Sequence, residues 1–310
     1  MADRTANALL RPLGFGEIFD RAVTLYVRNF VPFSLILLFL MVPNGIAQYA
    51  FQAQQMGEMA AALKGATTAD PFAAYRSPAF AVVAVAFALF LLALPFAFNA
   101  IAVGVARLYS GASVDVRACY AKAFAKFWST IGMVLMDLLI LVGAAFLIGV
   151  VGGIGFAIAV AIGTLGTIFA VVAFVLMAIV MLAITAFLGV LAIGLYFAMF
   201  ALVIEDIPVF DALGEGFRRV FRRGELGRAL LIVLATFAVT VLQTIVTYAT
   251  LGLAYFIHQP WLLTLESVLI GTAIYAFYVI LLVVYYYDVR VRHEGLDLEA
   301  QLASLAAQTA

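Results

Sequence analysis

Residues 138–182 read LLILVGAAFLIGVVGGIGFAIAVAIGTLGTIFAVVAFVLMAIVML and contain no charged side chain. They belong to an apolar run, residues 131–204, whose length corresponds to about 111 Å of helix at 1.5 Å per residue. Two crossings of a bilayer with its headgroup regions need about 80–90 Å, and four crossings would leave no room for turns. We therefore predict two crossings. The surplus apolar helix near residues 150–170 is expected to be re-entrant or to lie along the outer interface.

The rest of the chain has the same membrane character. Of its 310 residues, 67% are hydrophobic and 11% are charged, whereas about 25% are charged in ordinary soluble domains. Four further apolar runs lie at residues 31–49, 79–106, 229–257 and 262–287. Because lipid offers the backbone no hydrogen-bond partner, such runs must be helical. The predicted fold class is all-α, a polytopic membrane helix bundle with six transmembrane crossings in three hairpins.

The basic residues alternate along the chain. Four precede residue 31, four lie in 107–126, five in 218–228 and two at positions 290 and 292, while residues 51–78 hold two. Cytoplasmic loops carry an excess of Lys and Arg, so the four larger groups are predicted to face the cytosol. Both termini are then cytosolic, and residues 51–78 and 258–261 lie outside.

An amphipathic stretch precedes each predicted hairpin. The stripes have the same helical spacing of three, four and four residues over most of their length. They consist of Phe15, Ile18, Ala22, Leu25 and Tyr26; of Val116, Cys119, Ala123 and Phe127; and of Phe210, Leu213, Phe217, Val220 and Phe221. We interpret the chain as one membrane domain, 1–310, with pseudo-repeats 12–112, 113–206 and 207–295 and a short amphipathic tail, 296–310. The alternative is that cytosolic loops of membrane proteins are commonly basic and amphipathic without any repeat.

The third stretch carries four arginines, Arg218, Arg219, Arg222 and Arg223. The three short helices are predicted to lie in the headgroup plane, with the apolar stripe toward lipid and the basic face toward anionic lipid phosphate. Each Lys or Arg near the surface contributes about 1 kcal/mol of attraction. Anionic phospholipids are thus the expected partner, and setting the orientation of the chain is the alternative role of the four arginines.

The end of the last apolar run reads VYYYDVRVRHEGLDLE, residues 284–299. Tyr285, Tyr286 and Tyr287 are predicted at headgroup level. Asp288 and Arg292 are one helical turn apart and can pair, and Gly295 suits the residue after the helix. Asp297 is predicted to cap a short second helix. The C-terminal anchor is therefore predicted to comprise Asp288, Arg290, Arg292, Glu294 and Gly295.

Three segments carry a resemblance to a known family: LRPLGFGEIFDRAVTLYVRNF, ALVIEDIPVFDALGEGFRRVFRRGELGRALL and YYYDVRVRHEGLDLE. In this order they resemble the bacterial glycerophosphoryl diester phosphodiesterase membrane-domain family, and the likeness covers nearly the whole chain. The resemblance implies a multi-pass protein of the bacterial inner membrane, here without the catalytic barrel fused to the domain in some members. The chain departs from the family in its long apolar centre and in Glu205-Asp206, where most relatives have one acid.

Polar residues at membrane depth are the remaining pointers to function. Asn99, Asp137 and Gln243 interrupt three apolar runs, and a layer formed by them would bind a lipid headgroup or carry a proton. Hydrogen bonding between helices is the alternative. Asn99 is the predicted partner of Asp137, and Gln243 is the other candidate.

The sequence contains no motif of a known catalytic site. It lacks a P-loop, a dinucleotide fingerprint, a GxSxG elbow and HExxH, and its two histidines are predicted on opposite sides of the membrane. We expect no catalytic residue, metal site or cofactor, and zero net charge argues against nucleic acid as a partner. The expected function is that of a non-enzymatic scaffold or accessory subunit in envelope or lipid physiology, with a membrane or envelope protein as partner. A lipid or small-solute transporter is the alternative.

Overall fold

A computed structural model describes residues 11–63, 76, 78–164 and 166–295. These residues form nine α-helices and no strand. The helices are α1 Phe15–Arg28, α2 Phe30–Leu63, α3 Pro78–Tyr109, α4 Val116–Ala125, α5 Phe127–Gly163, α6 Thr167–Phe200, α7 Val209–Val220, α8 Leu226–Ile257 and α9 Trp261–Glu294. A π-helical turn, Ala201–Glu205, extends α6.

Six of the described helices, α2, α3, α5, α6, α8 and α9, are long and apolar enough to cross a membrane. The predicted all-α polytopic fold with six crossings is confirmed. The short helices α1, α4 and α7 each precede a pair of long helices. The threefold repeat itself stays a prediction, and the predicted tail, including the Asp297 cap, lies outside the described residues.

The long central run forms α5, which ends at Gly163, and α6, which begins at Thr167. In the described residues it contains no separate re-entrant or interfacial segment, which differs from the expectation. The surplus lengthens both helices instead, because backbone groups in lipid have no better partner than the next helical turn. Gly166 has φ +138°, a conformation that favours glycine, and it stands at the N-terminus of α6.

Two prolines lie within long helices. Pro43 belongs to α2 and Pro95 to α3, and each helix continues through its proline as one α-helix. Membrane helices tolerate proline because local adjustment and neighbouring groups satisfy the carbonyl that loses its donor. Helix α2 accordingly continues past Pro43 and Asn44 without unwinding.

The chain divides into two compact units. Unit 1 comprises residues 1–126 and 236–310, and unit 2 comprises residues 127–235. In unit 1, α9 packs against α1, α2 and α3, and α4 packs against α3. In unit 2, α6 packs against α5 and α7. The most deeply buried part of unit 1 is residues 279–289 of α9, which are buried without interruption.

Candidate functional site

The C-terminal end of α9 is tied to the chain just before α1. Asp288 is 2% exposed. Its carboxylate accepts a hydrogen bond from the Leu13 N–H at 2.6 Å and another from Arg292 Nε at 3.0 Å. Arg292 also donates to the Leu13 carbonyl. The Asp288–Arg292 pair predicted from spacing is present, but its principal role is to hold Leu13.

Other predicted residues complete this end of the helix. Arg290 Nε donates to Glu294 at 2.9 Å. Gly295 follows the last helical residue with φ +69°, the left-handed conformation expected after a helix. The predicted position of the three tyrosines at headgroup level stays a prediction, but the structure shows what they contact. Tyr285 and Tyr286 are fully buried and Tyr287 stacks on Tyr109 with ring centroids 4.5 Å apart, so all three pack inside unit 1.

The N-terminus of α1 carries a second small network. The Glu17 carboxylate accepts from the Gly14 N–H at 2.7 Å and from Arg11 at 2.6 Å. These two donors hold the pKa of Glu17 below its usual range. The core of the predicted apolar stripe, Ile18 and Ala22, is fully buried in the protein. We expected this stripe to face lipid. Instead, this part of it packs inside unit 1, where α1 contacts α9.

The arginine cluster of unit 2 is divided between two environments. Arg219 is 4% exposed and donates two hydrogen bonds to the Glu205 carboxylate, at 2.6 and 3.0 Å. Helix α7 ends at Val220, so Arg222 and Arg223 follow the helix and are exposed. Arg218 is exposed and pairs with Glu215 at 2.7 Å. Arg219 therefore differs from the prediction that it faces lipid, because Glu205 supplies a carboxylate on which the planar guanidinium fits in bidentate fashion.

The backbone around Glu205 explains how the carboxylate reaches α7. The π-helical turn ends at Glu205, and Asp206 adopts the left-handed conformation with φ +62°. Helix α7 then begins at Val209 and packs against α6. The sequence analysis did not assign Glu205 a role. Its position at the end of a long apolar run, 14 residues before an arginine, was the available signal for an ion pair.

Helices α6 and α7 approach closely at two glycines. A Cβ placed on Gly216 would collide with the Gly194 carbonyl oxygen and, at 2.5 Å, with the Ala198 nitrogen. Two glycines of α5 with the small-xxx-small spacing do not behave in this way. Gly149 and Gly153 have nothing within 4 Å of an added Cβ among the described residues, so their spacing does not produce close packing.

Helix α4 is attached to α2 through a tyrosine. The Tyr120 hydroxyl donates to the Ile36 carbonyl at 2.6 Å. Burial raises the pKa of Tyr120 to about 12, so the hydroxyl keeps its proton at neutral pH. Cys119 of the second apolar stripe is fully buried, and burial raises the pKa of its thiol. The α4 face that carries Cys119 and Ala123 thus packs in the protein.

Unit 1 contains an apolar groove of about 710 Å³ between α2 and α3, bounded at one end by α4. Its walls include Leu35, Phe39 and Pro43 of α2, Ala86 and Phe90 of α3, and Tyr120 of α4. Asn44 also lines the groove, and its side chain makes no hydrogen bond with any residue that the structure describes. The volume lies within the range of about 300–1,000 Å³ found for ligand pockets.

The three predicted membrane-depth residues fall in different surroundings. Asn99 is fully buried and Gln243 is partly exposed, and both belong to unit 1. Asp137 belongs to unit 2, and its Oδ1 atom is buried without a hydrogen-bond partner in the described part of the chain. The polar layer formed by the three residues stays a prediction.

Comparisons with protein-family models, with curated proteins and with solved structures found no match for this chain. The assignment of a function therefore depends on the residues of the chain itself.

Proposed function

We propose that this protein is a non-enzymatic scaffold or accessory subunit of the bacterial inner membrane. In this proposal the α5–α6 hairpin, Phe127–Gly163 with Thr167–Phe200, holds a partner membrane or envelope protein. Basic residues at the end of unit 2 that is opposite the hairpin turn bind anionic phospholipid. Both termini are in the cytosol, in agreement with the distribution of Lys and Arg along the chain.

The observation that carries the proposal is the length of the hairpin. The 37 residues of α5 extend about 55 Å at 1.5 Å per residue, whereas a bilayer with its headgroup regions is about 40–45 Å thick. Between residues 127 and 204 the only charged side chain is that of Asp137. If the hairpin stands upright, its uncharged apolar tip rises about 10 Å above the headgroups, and we propose that a second protein shields it there from water.

The surface of the hairpin supports the same role. In the most apolar 18-residue stretch of α5 no residue is buried. In the corresponding stretch of α6, 6% of the residues are buried, compared with 50% in α9. Near the turn, Ile168 is 77% exposed and Phe174 is 75% exposed. Apolar surface that the rest of the chain leaves uncovered above the headgroups is the kind of surface that a partner protein would bind.

The charged residues described above favour a structural role over catalysis. Asp288 and Arg292 hold Leu13 in unit 1, and Arg219 holds Glu205 in unit 2. Arg222 and Arg223 are exposed, and they are the residues that we propose for contact with lipid phosphate. Membership of the glycerophosphoryl diester phosphodiesterase membrane-domain family is part of this proposal.

Transport of a lipid or small solute is the second candidate. It is favoured by Asp137, whose buried Oδ1 atom has no partner among the described residues. A carboxyl group inside an apolar helix is costly unless it is neutral or paired, and such residues mark proton and substrate pathways in transporters.

Photo-crosslinking in native membranes tests the proposal. A photoreactive amino acid at Ile168, close to the hairpin turn, should capture a specific membrane or envelope protein. The same amino acid at Val85 of unit 1, which is 61% exposed, should capture lipid only. Deleting the captured protein should then lower the cellular level of this chain, as expected for an accessory subunit.

Two results would contradict the proposal. Lipid adducts alone at Ile168 would mean that the tip lies within the bilayer. Adducts with a second copy of the chain would make the hairpin a self-association element. Loss of solute or lipid transport on Asp137→Asn, with an unchanged melting temperature, would support the second candidate instead.

A further inference from the structure

The apolar groove of unit 1 has the length of one bilayer leaflet. From Leu35 to Asn44 its α2 wall advances about 14 Å, and from Ala86 to Phe96 its α3 wall advances about 15 Å, at 1.5 Å per residue. Half of the hydrocarbon core of a bilayer is also about 15 Å. Since both walls belong to candidate membrane spans, the groove runs in the direction of lipid acyl chains.

One end of the groove lies at the membrane boundary. Helix α4 forms this end through Val116, Tyr120 and Phe124, and it lies between the spans Phe80–Tyr109 and Phe127–Gly163. The other end, at Pro43 and Asn44, is deep within the span Phe30–Ala53. An amphiphile in the groove would therefore place its polar headgroup beside α4 and its tail near Asn44.

The boundary end carries a cation suited to a phosphate. Arg117 is exposed, and its guanidinium makes no hydrogen bond or ion pair with the described residues. It precedes the groove-lining Tyr120 by three residues, so the two side chains are neighbours on the helix. The nearby Asp115 carboxylate is engaged as the N-cap of α4, where it accepts from the Arg117 N–H at 2.9 Å. Lys122 lies on the opposite side of α4 from the Val116–Tyr120–Phe124 stripe.

We propose that the groove is a binding site for one acyl chain of an anionic phospholipid, with the lipid phosphate bound by Arg117. This inference deepens the lipid-binding part of the proposed function and places a second lipid site in unit 1. The Tyr120 hydrogen bond to Ile36 fixes the α4 end of the groove.

Photoreactive lipids test the site. The purified full chain is placed in phosphatidylcholine nanodiscs with a trace of phosphatidylglycerol carrying a diazirine near the end of one acyl chain. Peptide mapping should find adducts concentrated around Pro43 and Phe90, well above those on exposed α6 residues such as Leu182. A phosphatidylcholine probe with the same chain should label the groove severalfold less.

Paired variants separate the tail from the headgroup. Ala93→Phe places a ring in the groove and should reduce groove labelling severalfold, whereas Ala88→Phe, at an exposed position of α3 outside the groove, should leave it unchanged. Arg117→Gln should abolish the preference for phosphatidylglycerol over phosphatidylcholine, and Lys122→Gln should retain it. Detergent melting temperatures show whether each variant is folded, and the wild-type mapping decides the proposal without any variant.

Three results would overturn the inference: labelling spread evenly over all lipid-facing residues, equal groove labelling by both probes, or crosslinks that join a second copy through the groove. None of them would affect the partner role of the hairpin, because the hairpin belongs to unit 2.

Discussion

The Asp288 carboxylate accepts a hydrogen bond from the backbone N–H of Leu13, a residue 275 positions earlier in the chain, at 2.6 Å. Arg292 completes the contact by pairing with Asp288 and donating to the Leu13 carbonyl. Both backbone polar groups of Leu13 are thus satisfied by the end of α9. Since α1 begins two residues later, this contact fixes where the first helix joins unit 1.

Asp288→Ala should destabilise unit 1. The substitution removes the acceptor for the Leu13 N–H and for Arg292, and hydrogen bonds to charged groups each contribute about 1.5–3 kcal/mol. We expect the free energy of unfolding in mixed detergent micelles to fall by at least that amount. Asp20→Ala, at an exposed position of α1, is the control and should change it by less than about 0.5 kcal/mol. Equal effects of the two substitutions would mean that the Leu13 contact adds no stability.

Arg219→Gln should be among the most damaging substitutions in unit 2. Glu205 is largely buried, and removing its partner leaves a charge that costs about 3–5 kcal/mol in buried pairs. Arg223→Gln, at an exposed position three residues after α7, provides the matched control. Adding Glu205→Gln to the Arg219 variant should restore part of the lost stability, and a purely additive double-mutant cycle would contradict the pairing.

Gly216→Ala should separate α7 from α6. The new methyl group would collide with backbone atoms of Gly194 and Ala198, which cannot move aside as a flexible side chain can. Overpacking of this kind costs about 1–3 kcal/mol. Gly214→Ala, two residues earlier on the same helix with nothing within 4 Å among the described residues, should be neutral or should stabilise by up to about 1 kcal/mol. A thermal melt in detergent distinguishes the two variants, and similar melting temperatures would disprove the close approach.

Removing the charges of Arg222 and Arg223 should reduce copurifying anionic phospholipid without lowering the melting temperature. The double Gln variant loses at most about 2 kcal/mol of attraction to an anionic surface. The double Lys variant keeps the charge and should keep the lipid. Native mass spectrometry of the gently solubilised proteins measures both. Unchanged lipid in the Gln variant, with the topology verified, would leave the pair only the role of setting orientation.

The sequence was sufficient for features that depend on local pattern. Hydropathy predicted six crossings because a lipid environment demands long uninterrupted helices. Spacing predicted the Asp288–Arg292 pair because residues four apart in a helix are neighbours. The position of Gly295 after α9 followed from the preference of glycine for the left-handed conformation.

Features that depend on distant parts of the chain could not be predicted. The hydropathy pattern indicates that Ile18 and Tyr285 lie in apolar surroundings. It does not distinguish burial against protein from exposure to lipid, because both environments are apolar. The burial of Arg219 depends on the packing of α7 against the end of α6 that carries Glu205, and the close approach at Gly216 depends on which face of α6 meets α7. Neither relationship has a local signature.

The central claim is that the tip of the α5–α6 hairpin rises above the outer surface of the membrane and is covered there by a partner. Its most direct test is the labelling rate of Thr164→Cys, in a Cys119→Ala background, by an impermeant maleimide. Thr164 is exposed at the end of α5. We predict fast labelling of the purified protein in nanodiscs and much slower labelling in native membranes, where the partner is present. Failure to label in nanodiscs, or equal rates in both preparations, would contradict the claim.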